Sequence, residues 1–528
     1  MINIVIGGKD LSWHREVTKT DWQPCVQPFS FYHEFIPDYW ASGATEVASA
    51  PIHRLCTLAR KMGVKSFHVE DALDRPEIVS EIRHLEDVSA GTDGEVTARA
   101  ITFLRVAKES DNQKLVTLAE CDVIGQAVIV TYPMADGNTH SFVYEAIFRL
   151  CARDGETLLL NNQVPIATEF PIEIGDQSLV IKGSYFCQQN GISSVCAHSA
   201  VRTLLMNHGK RRISVAELNA TWKIDPSLGK IRITDVTASL DEHGLTLIRY
   251  WFKGKRSNDA MTNDGIWSLI ASLALSGTPT LLVFETGPKF DHVVPVLGHT
   301  LNTDEWHPQG SLTHLADANR SASSSLWIDH LVINDDQLGP YYCMSRSGLF
   351  EDGKSPTAIK PTYVVAMLPK GFVISPFAAE TLAREEFERL LLRATATLAD
   401  APRWSTLLRT TAERRVFRTT LIARDEYAAG VLAQLPAGGR AEAEATVARI
   451  VADLPDAFWM CEVSLPNIML ANKTKLGEIL LSTSRKQIHA VRLPGVIATL
   501  KPETLSAFPF PINGHIPIHE PHHNPNQW

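Results

Sequence analysis

The sequence predicts an α+β protein made of several domains, and three observations support this prediction. The chain has 528 residues, which corresponds to three or four domains of about 150 residues each. Its composition is globular, with 45% apolar and 21% charged residues. In the middle of the chain, helical patterns come first and a run of strand patterns follows, which is typical of helices segregated from an antiparallel sheet.

Charge and cysteine content exclude several classes of protein. The 50 lysines and arginines are outnumbered by 59 acidic residues, and the net charge of −9 does not favour a nucleic-acid-binding surface. The eight cysteines include no CxxC pair, which excludes the common zinc-ribbon and thioredoxin-like patterns. They are also too few for a disulfide scaffold in a chain of this length. We therefore expect neither nucleic acid as a partner nor a metal or other cofactor.

No segment of the sequence predicts insertion into a membrane. The first residues lack the basic and apolar regions of a signal peptide. The best candidate for a membrane span, residues 266–284, is uncharged but contains Gly277 and Pro279. These two residues favour a buried helix, a tight turn and a buried strand instead. We expect a cytoplasmic protein with reduced thiols.

Four regions are distinguished along the chain. Residues 1–180 carry short β-type runs and predict a β-rich or α+β N-terminal domain of unknown role. Residues 183–370 contain the helices followed by strands. Residues 377–506 predict a mixed, largely helical C-terminal domain, because 377–455 is rich in Ala, Leu, Arg and Glu. Residues 507–528 form a tail too rich in Pro and His to make a packed element unaided.

The elements of the second region can be placed individually. Helices are predicted over residues 196–207, 234–243 and 265–275. A further helix is predicted to begin at the capping box formed by Ser214 and Glu217. Predicted strands cover residues 245–252, 280–285, 292–300, 326–334 and 362–368.

Cys196 stands at the start of a predicted helix, directly after a short polar turn. Unpaired backbone N–H groups and the positive end of the helix dipole stabilise a thiolate at such a position, and the thiolate is the nucleophilic form of cysteine. A cluster of side-chain amides, Gln188, Gln189 and Asn190, lies just upstream. An amide N–H can donate to the oxyanion that develops during acyl transfer. The segment thus predicts a reactive cysteine with an oxyanion donor.

A thiolate nucleophile needs a base, and the base needs a group that orients it. His292 begins one apolar strand, and Asp335 follows the next one at a turn. If the two strands are neighbours, a histidine and a carboxylate can meet at one edge of a sheet. The order Cys196, His292, Asp335 is that of a papain-type triad.

Residues 183–370 resemble the papain-like cysteine peptidases, most nearly the C39-like peptidase domain. The features that match, in chain order, are the amide cluster, Cys196-Ala197, Gly277-x-Pro279 before the histidine strand, His292 with VVPVLG, and Asp335 four residues before Gly339.

The resemblance implies a papain-like α+β fold with Cys196 as nucleophile, His292 as base, Asp335 as orienting acid and a glutamine as oxyanion donor. In the family that glutamine usually lies six residues before the cysteine. Asn190 occupies this position here and Gln189 precedes it by one, so both remain candidates. The connection from His292 to Asp335 is also long, since residues 300–325 form an apparent insertion.

Other residues offer alternative roles. His299 and His330 are rival bases, although each lies within a strand pattern that favours a local structural role. Asp336 is a rival orienting acid. Asp335 is preferred because of its spacing to Gly339. If the strand geometry persists through both residues, their side chains point to opposite sides and only one of them can orient the imidazole.

Two charged clusters are interpreted as structural. The arginines at 403, 409, 414, 415, 418 and 424 are interpreted as a solvated helix face rather than a partner site. The tail residues His515, His519, Glu520, His522 and His523 have metal-capable side chains, but the prolines around them favour disorder or adventitious binding.

The expected function is that of a cysteine hydrolase, a peptidase or isopeptidase that acts on proteins or peptides through a thioester acyl-enzyme. The flanking regions are expected to select the substrate or to respond to a regulatory partner. A transglutaminase, acyltransferase or deamidase would use the same triad with another acceptor. A papain-like scaffold that has lost activity is the non-enzymatic alternative.

Overall fold

The fold was analysed in a computed structural model of the full chain. It describes residues 25–28, 46–88, 96–106, 117–133, 139–149, 162–165, 168–209, 212–223, 231–241, 245–252, 261–287, 290–300, 321–350, 360–397, 415–435, 440–466, 468–469, 473–493, 495–501, 504–510 and 516–519.

Helices and antiparallel sheets are both prominent in these residues, as an α+β fold requires. The helices are α1 (Glu46–Lys61), α2 (Pro76–Val88), α3 (Cys196–Gly209), α4 (Val215–Trp222), α5 (Ile233–Asp241), α6 (Asn263–Leu275), α7 (Arg346–Phe350), α8 (Pro376–Thr397), α9 (Arg424–Ala433) and α10 (Arg440–Ala452).

The strands belong to three large sheets and one small one. They are β1 (Cys25–Pro28), β2 (Ser66–Asp71), β3 (Thr97–Leu104), β4 (Val123–Pro133), β5 (Thr139–Arg149), β6 (Asn162–Gln163), β7 (Thr168–Ile174), β8 (Gln177–Phe186), β9 (Leu245–Trp251), β10 (Thr280–Gly287), β11 (Phe290–Thr300), β12 (Ser321–Ser323), β13 (His330–Asp335), β14 (Gly339–Ser345), β15 (Lys360–Pro369), β16 (Arg415–Ala423), β17 (Ala457–Ser464), β18 (Thr474–Lys475), β19 (Gly477–Leu481), β20 (Ile488–Leu493), β21 (Val496–Lys501), β22 (Thr504–Pro509) and β23 (Ile516–Pro517).

The N-terminal sheet has the strand order β1-β2-β3-β4-β5-β8-β7, with every neighbouring pair antiparallel. Its last strand in the chain, β8, runs across residues 180–183, where the sequence predicted a domain boundary. The sheet also shares a hydrophobic core with the next region, because Leu297, Val332 and Tyr341 pack with Leu55 and Phe67. The N-terminal region is therefore joined to the central one by a strand and by a common core.

The central sheet has the order β14-β13-β11-β10-β15-β9, and β6 pairs with the far end of β11. Helices α3, α4, α5 and α6 precede most of its strands, as predicted. The capping box of Ser214 and Glu217 is present at the start of α4. The predicted strand 326–334 begins only at His330, because Ser324–Trp327 forms a 3₁₀ helix.

The apolar stretch 266–284 is a helix, a turn and a strand, as predicted. Helix α6 ends at Leu275, Gly277 has φ +61°, and β10 begins at Thr280. A left-handed φ is readily adopted only by glycine, which explains why the helix stops there. Among the described residues, no helix is long and apolar enough to span a membrane.

The described residues of the C-terminal region are not largely helical, in contrast to the sequence-based expectation. Its sheet has the order β12-β16-β17-β19-β20-β21-β22 beside helices α8, α9 and α10. Strand β16 falls within the Ala/Leu/Arg/Glu-rich segment, but its own residues, RVFRTTLIA, are β-branched and aromatic and favour a strand. Two arginines expected on a solvated helix face, Arg415 and Arg418, are buried in β16.

The ends of the C-terminal sheet also depart from the predicted boundaries. Strand β22 runs across residue 506, and Ile516–Pro517 of the tail pairs with Thr474–Lys475. Residues Ile516–Pro517 of the tail therefore form a strand, because β18 provides the backbone hydrogen-bonding partner that a short strand needs. Strand β12, from the apparent insertion 300–325, pairs in parallel with β16.

A buried network of charges lies inside the C-terminal sheet. Lys475 Nζ lies 2.8 Å from Glu462 and 2.6 Å from Glu478, while Arg418 and Arg492 contact the same two carboxylates at 2.9 and 2.7 Å. Burial raises the pKa of Glu478, but Arg492 and Lys475 outweigh burial and lower that pKa to about 2. Each charge in this network depends on its partners, since an unpaired buried charge is costly.

We expect Glu478→Gln to lower the free energy of unfolding by about 3–5 kcal/mol, because Lys475 and Arg492 lose a buried counter-charge. Glu478 stabilises the folded protein fully above about pH 4.3, the ordinary pKa of a glutamate. This stabilisation is lost as the pH falls through about 2, the pKa of Glu478 in the folded protein. Urea denaturation at pH 7 and at steps down to pH 2 measures both effects, and the variant should show less acid dependence.

Asp453→Asn is the control, because the Asp453–Lys501 pair is exposed and 3.7 Å long. It should change stability by no more than about 0.5 kcal/mol. Equal effects of the two substitutions would show that the buried network does not stabilise the sheet.

Candidate active site

Asn190 shapes the loop that leads into α3. Its Oδ1 accepts hydrogen bonds from the backbone N–H groups of Ile192, Ser193 and Ser194 at 2.9, 2.8 and 3.0 Å. Gly191 has φ +70°, which allows the chain to turn directly after Asn190. This compact turn places Cys196 at the first position of α3.

The two candidate oxyanion donors differ in their hydrogen bonds. Asn190 Nδ2 donates to Glu81 Oε1 at 2.8 Å and to Ser193 Oγ at 2.9 Å, so both of its N–H groups are committed. The Gln188 side chain accepts from Val143 N at 3.0 Å and is anchored to β5. Gln189 is half-buried, and no hydrogen bond of its side chain is formed with the described residues. Gln189 is therefore the amide available to a ligand.

His292 and Asp335 meet at one edge of the central sheet. His292 lies near the beginning of β11 and Asp335 is the last residue of β13, its antiparallel neighbour. His292 Nε2 lies 3.2 Å from Asp335 Oδ1. The same oxygen accepts the backbone N–H groups of Gln337 and Leu338 at 2.8 and 3.2 Å, which hold the carboxylate in place.

Cys196 completes the group, because its side chain lies close enough to His292 to contribute to the raised pKa of the imidazole. Since Nε2 faces the carboxylates, Nδ1 is the ring nitrogen that remains for the thiol. Burial by itself would lower the pKa of His292. The hydrogen bond with Asp335, the neighbouring Cys196 side chain and the charges of Asp336 and Asp335 outweigh burial and raise that pKa to about 11. The environment thus favours the imidazolium that forms when His292 takes the proton of the thiol.

Both aspartates lie on the imidazole side of the turn, although His292 forms its hydrogen bond with Asp335. Asp336 Oδ1 also lies near His292 Nε2, at 3.5 Å. The pairing of β13 with β14 is irregular between Ile333 and Asp335, and Asp336 already belongs to the turn, so strand alternation does not extend to it. Burial and the neighbouring Asp335 raise the pKa of Asp336 to about 7, although the charge of His292 opposes this.

The rival bases lie elsewhere. His299 is near the other end of β11, where its Nδ1 lies 3.1 Å from the carbonyl oxygen of Thr300. Burial lowers its pKa to about 4. The backbone N–H of His330 donates to Thr300 Oγ1 in the same area. Cys187 lies under α3, 3.5 Å from the carbonyl oxygen of Ser199, and is a free thiol.

One group of described side chains could hold a metal ion. The ligand atoms of His292, Asp335 and Asp336 all lie within 4.8 Å of one another, and all three residues are buried. In the His-rich tail, His519 lies 3.4 Å from Glu426, and the other predicted tail residues lie outside the described part of the chain.

Sequence reasoning missed Glu81, which reaches the loop from α2, 109 residues away in the chain. Nothing in the local pattern of α2 distinguishes Glu81 from its acidic neighbours. It is identified only by its burial and by its contact with Asn190.

We expect Glu81→Ala to loosen the loop, because Asn190 loses a buried acceptor at a cost of about 1–3 kcal/mol. Amide hydrogen exchange of the peptide that covers residues 187–195 should become faster. Glu81→Gln keeps a carbonyl acceptor and should preserve most of the protection.

Glu77→Ala is the matched control on the same helix, since among the described residues the Glu77 side chain forms an ion pair with the half-exposed Arg212, at 3.3 Å, and does not contact the loop. It should leave exchange in the loop unchanged. Unchanged exchange in Glu81→Ala would contradict a positioning role for this residue.

No protein-family model, curated protein or solved structure matches this chain.

Proposed function

We propose that this protein is a cysteine hydrolase of the papain-like type, a peptidase or isopeptidase. The observation that carries the proposal is the pairing of His292 with Asp335 at 3.2 Å beside Cys196, the first residue of α3, whose side chain contributes to the raised pKa of His292. In this proposal Cys196 is the nucleophile, His292 the base, Asp335 the orienting acid and Gln189 the oxyanion donor.

The reaction begins with proton transfer from the Cys196 thiol to His292 Nδ1. The raised pKa of His292 favours the resulting imidazolium, and Asp335 stabilises it through Nε2. The thiolate attacks the carbonyl carbon of the scissile bond, and the oxyanion accepts hydrogen bonds from Gln189 and from N–H groups of the first turn of α3.

The tetrahedral intermediate collapses when the imidazolium protonates the leaving amine. The C–N bond breaks and the acyl group stays on Cys196 as a thioester. His292 then takes a proton from water, which attacks the thioester and releases the acid. An amine in place of water would give acyl transfer through the same intermediate, so the acceptor distinguishes a hydrolase from a transferase.

We expect iodoacetamide at neutral pH to alkylate Cys196 at least tenfold faster than Cys56 and Cys343. All three thiols are half-buried, which makes them matched in access. Burial raises the pKa of the Cys56 and Cys343 thiols, whereas Cys196 has a base beside it. Mass spectrometry of peptides taken over time gives the three rates, and uniform slow labelling would favour an inactive scaffold.

Cys196→Ala should abolish turnover of peptide and isopeptide substrate libraries and leave the fold intact. Removal of a triad nucleophile typically lowers the rate by about 10⁴-fold or more. Cys343→Ala, a half-buried cysteine in β14, is the control and should retain wild-type rates. Residual activity above about a thousandth of wild type in Cys196→Ala would assign the nucleophile to another residue.

Asp335→Ala should lower kcat by about 10²–10⁴-fold, less than Cys196→Ala, because nucleophile and base remain. Asp336→Ala should have a smaller effect, since Asp336 is farther from Nε2 and lacks the backbone N–H donors that hold Asp335. Steady-state kinetics of the two variants tests this ranking. A reversed ranking would assign the orienting role to Asp336.

A further inference from the structure

We propose that His292, Asp335 and Asp336 form a binding site for a divalent transition-metal cation, with Zn²⁺ the best match, and that the bound cation switches the triad off. The ligand atoms are His292 Nε2 and one carboxylate oxygen from each aspartate. Imidazole nitrogen together with carboxylate oxygen is a ligand set that Zn²⁺ accepts.

The spacing of these atoms fits a tetrahedral cation. Zn²⁺ holds nitrogen and oxygen ligands at about 2.0–2.1 Å, so neighbouring ligands of a tetrahedral ion lie about 3.3–3.4 Å apart. The distances from His292 Nε2 to Asp335 Oδ1 and to Asp336 Oδ1 are 3.2 and 3.5 Å. Two of the three spacings in the cluster therefore match a tetrahedral ion, and all three ligand atoms lie within 4.8 Å of one another.

Asp336 supplies a separate indication of a ligand. Only 4% of its surface is exposed, and apart from its own amide neither carboxylate oxygen has a hydrogen-bond partner among the described residues. Oδ1 is directed toward the ring nitrogen that Asp335 already contacts. Buried carboxylate oxygens are normally paired or bound to a metal, so this one requires a partner.

The charge of the cluster favours a cation as that partner. Two carboxylates face a single imidazole, and no lysine or arginine of the described residues forms an ion pair with either of them. The backbone N–H groups of Gln337 and Leu338 donate to Asp335 Oδ1 and fix the position of this ligand atom, as hydrogen bonds to ligating carboxylates do.

Binding would remove the base. A neutral imidazole that binds a cation through Nε2 carries its single proton on Nδ1. The proton that faced the aspartates on Nε2 therefore moves to Nδ1, and only the second proton of an imidazolium leaves to solvent. An Nδ1–H group facing Cys196 cannot accept the thiol proton. Inhibition in this form rests on the proposed function, whereas binding itself does not.

The main alternative is a cation held by the thiol and Nδ1 on the other side of the ring. The two sites have opposite dependences on single residues. The site proposed here needs Asp336 and does not need Cys196, while the alternative needs Cys196 and does not need Asp336.

The test uses full-length protein freed of metals by dialysis against a chelator. Zn²⁺ binding is measured by competition with a chromophoric chelator, after long incubation because the ligands are buried. Wild type and Cys196→Ala should bind one Zn²⁺ with affinities within about threefold of each other. Asp336→Asn should weaken this binding at least tenfold, and His292→Ala should abolish it.

Co²⁺ gives a second readout, since a thiolate ligand would add a charge-transfer band in the near ultraviolet. The proposal expects d–d absorption without that band. Circular dichroism checks that each variant is folded, and Asp336→Ser replaces Asp336→Asn if the latter is not. His299→Gln is the control for the loss of a buried histidine from the same strand. Zn²⁺ that binds to the His-rich tail would be common to all variants and would not change the comparison.

Loss of binding in Cys196→Ala, or wild-type binding in Asp336→Asn, would overturn the proposal. Binding that depends on Asp336 in a protein without peptidase activity would support the metal site and count against the proposed function alone. If the protein is active, Zn²⁺ should inhibit hydrolysis. With the rate of each variant normalised to its own rate without metal, the half-inhibitory Zn²⁺ concentration should be at least tenfold higher for Asp336→Asn than for wild type.

Discussion

The antiparallel pairing of β11 with β13 is the constraint on which the candidate site depends. In such a pair the beginning of one strand and the end of the other share an edge of the sheet. His292 and Asp335 therefore meet although 43 residues separate them. Helix α3 packs on the same sheet through Ala197 and Val201, which brings Cys196 to that edge. A register shift of one residue would turn the His292 side chain to the opposite face of the sheet and separate it from Asp335 and Cys196.

The N-terminal region helps to build the site. Glu81 holds Asn190, and Asn190 holds the three amides that precede α3. Arg54 of α1 donates to the carbonyl oxygens of Pro340 and Tyr341, just beyond the turn that carries the two aspartates. The loop before Cys196 and the turn after β13 are thus both supported from residues before 180. A region that sequence patterns treat as a separate domain is physically a part of the candidate active site.

The sequence predicted the central elements because their signals are local. The capping box at Ser214 marks a helix start, and the polar turn before Cys196 marks another. The residues Cys196, His292 and Asp335 could be chosen because each stands at the end of such an element. Long-range partners carry no local signal, so Glu81 was missed. The side on which Asp336 lies depends on the irregular pairing of β13 with β14, which ends strand alternation before the turn and carries no local signal.

The same residues would serve catalysis and attract a cation, for one electrostatic reason. A histidine that must hold a proton beside a thiolate needs negative charge behind it, and Asp335 supplies this with its position secured by two backbone amides. Asp336 adds a second buried carboxyl to the same ring nitrogen, more negative charge than one imidazolium can balance. A proton on Asp336 would neutralise the excess and leave His292 free to act. A divalent cation would neutralise the excess negative charge more completely, but it would occupy His292 Nε2. A proton on Asp336 and a metal ion on Nε2 are therefore alternative ways to balance the charge, and only the first leaves His292 free as a base. Under the two proposals together, the second aspartate would make the activity of the triad depend on whether a proton or a metal ion occupies the cluster.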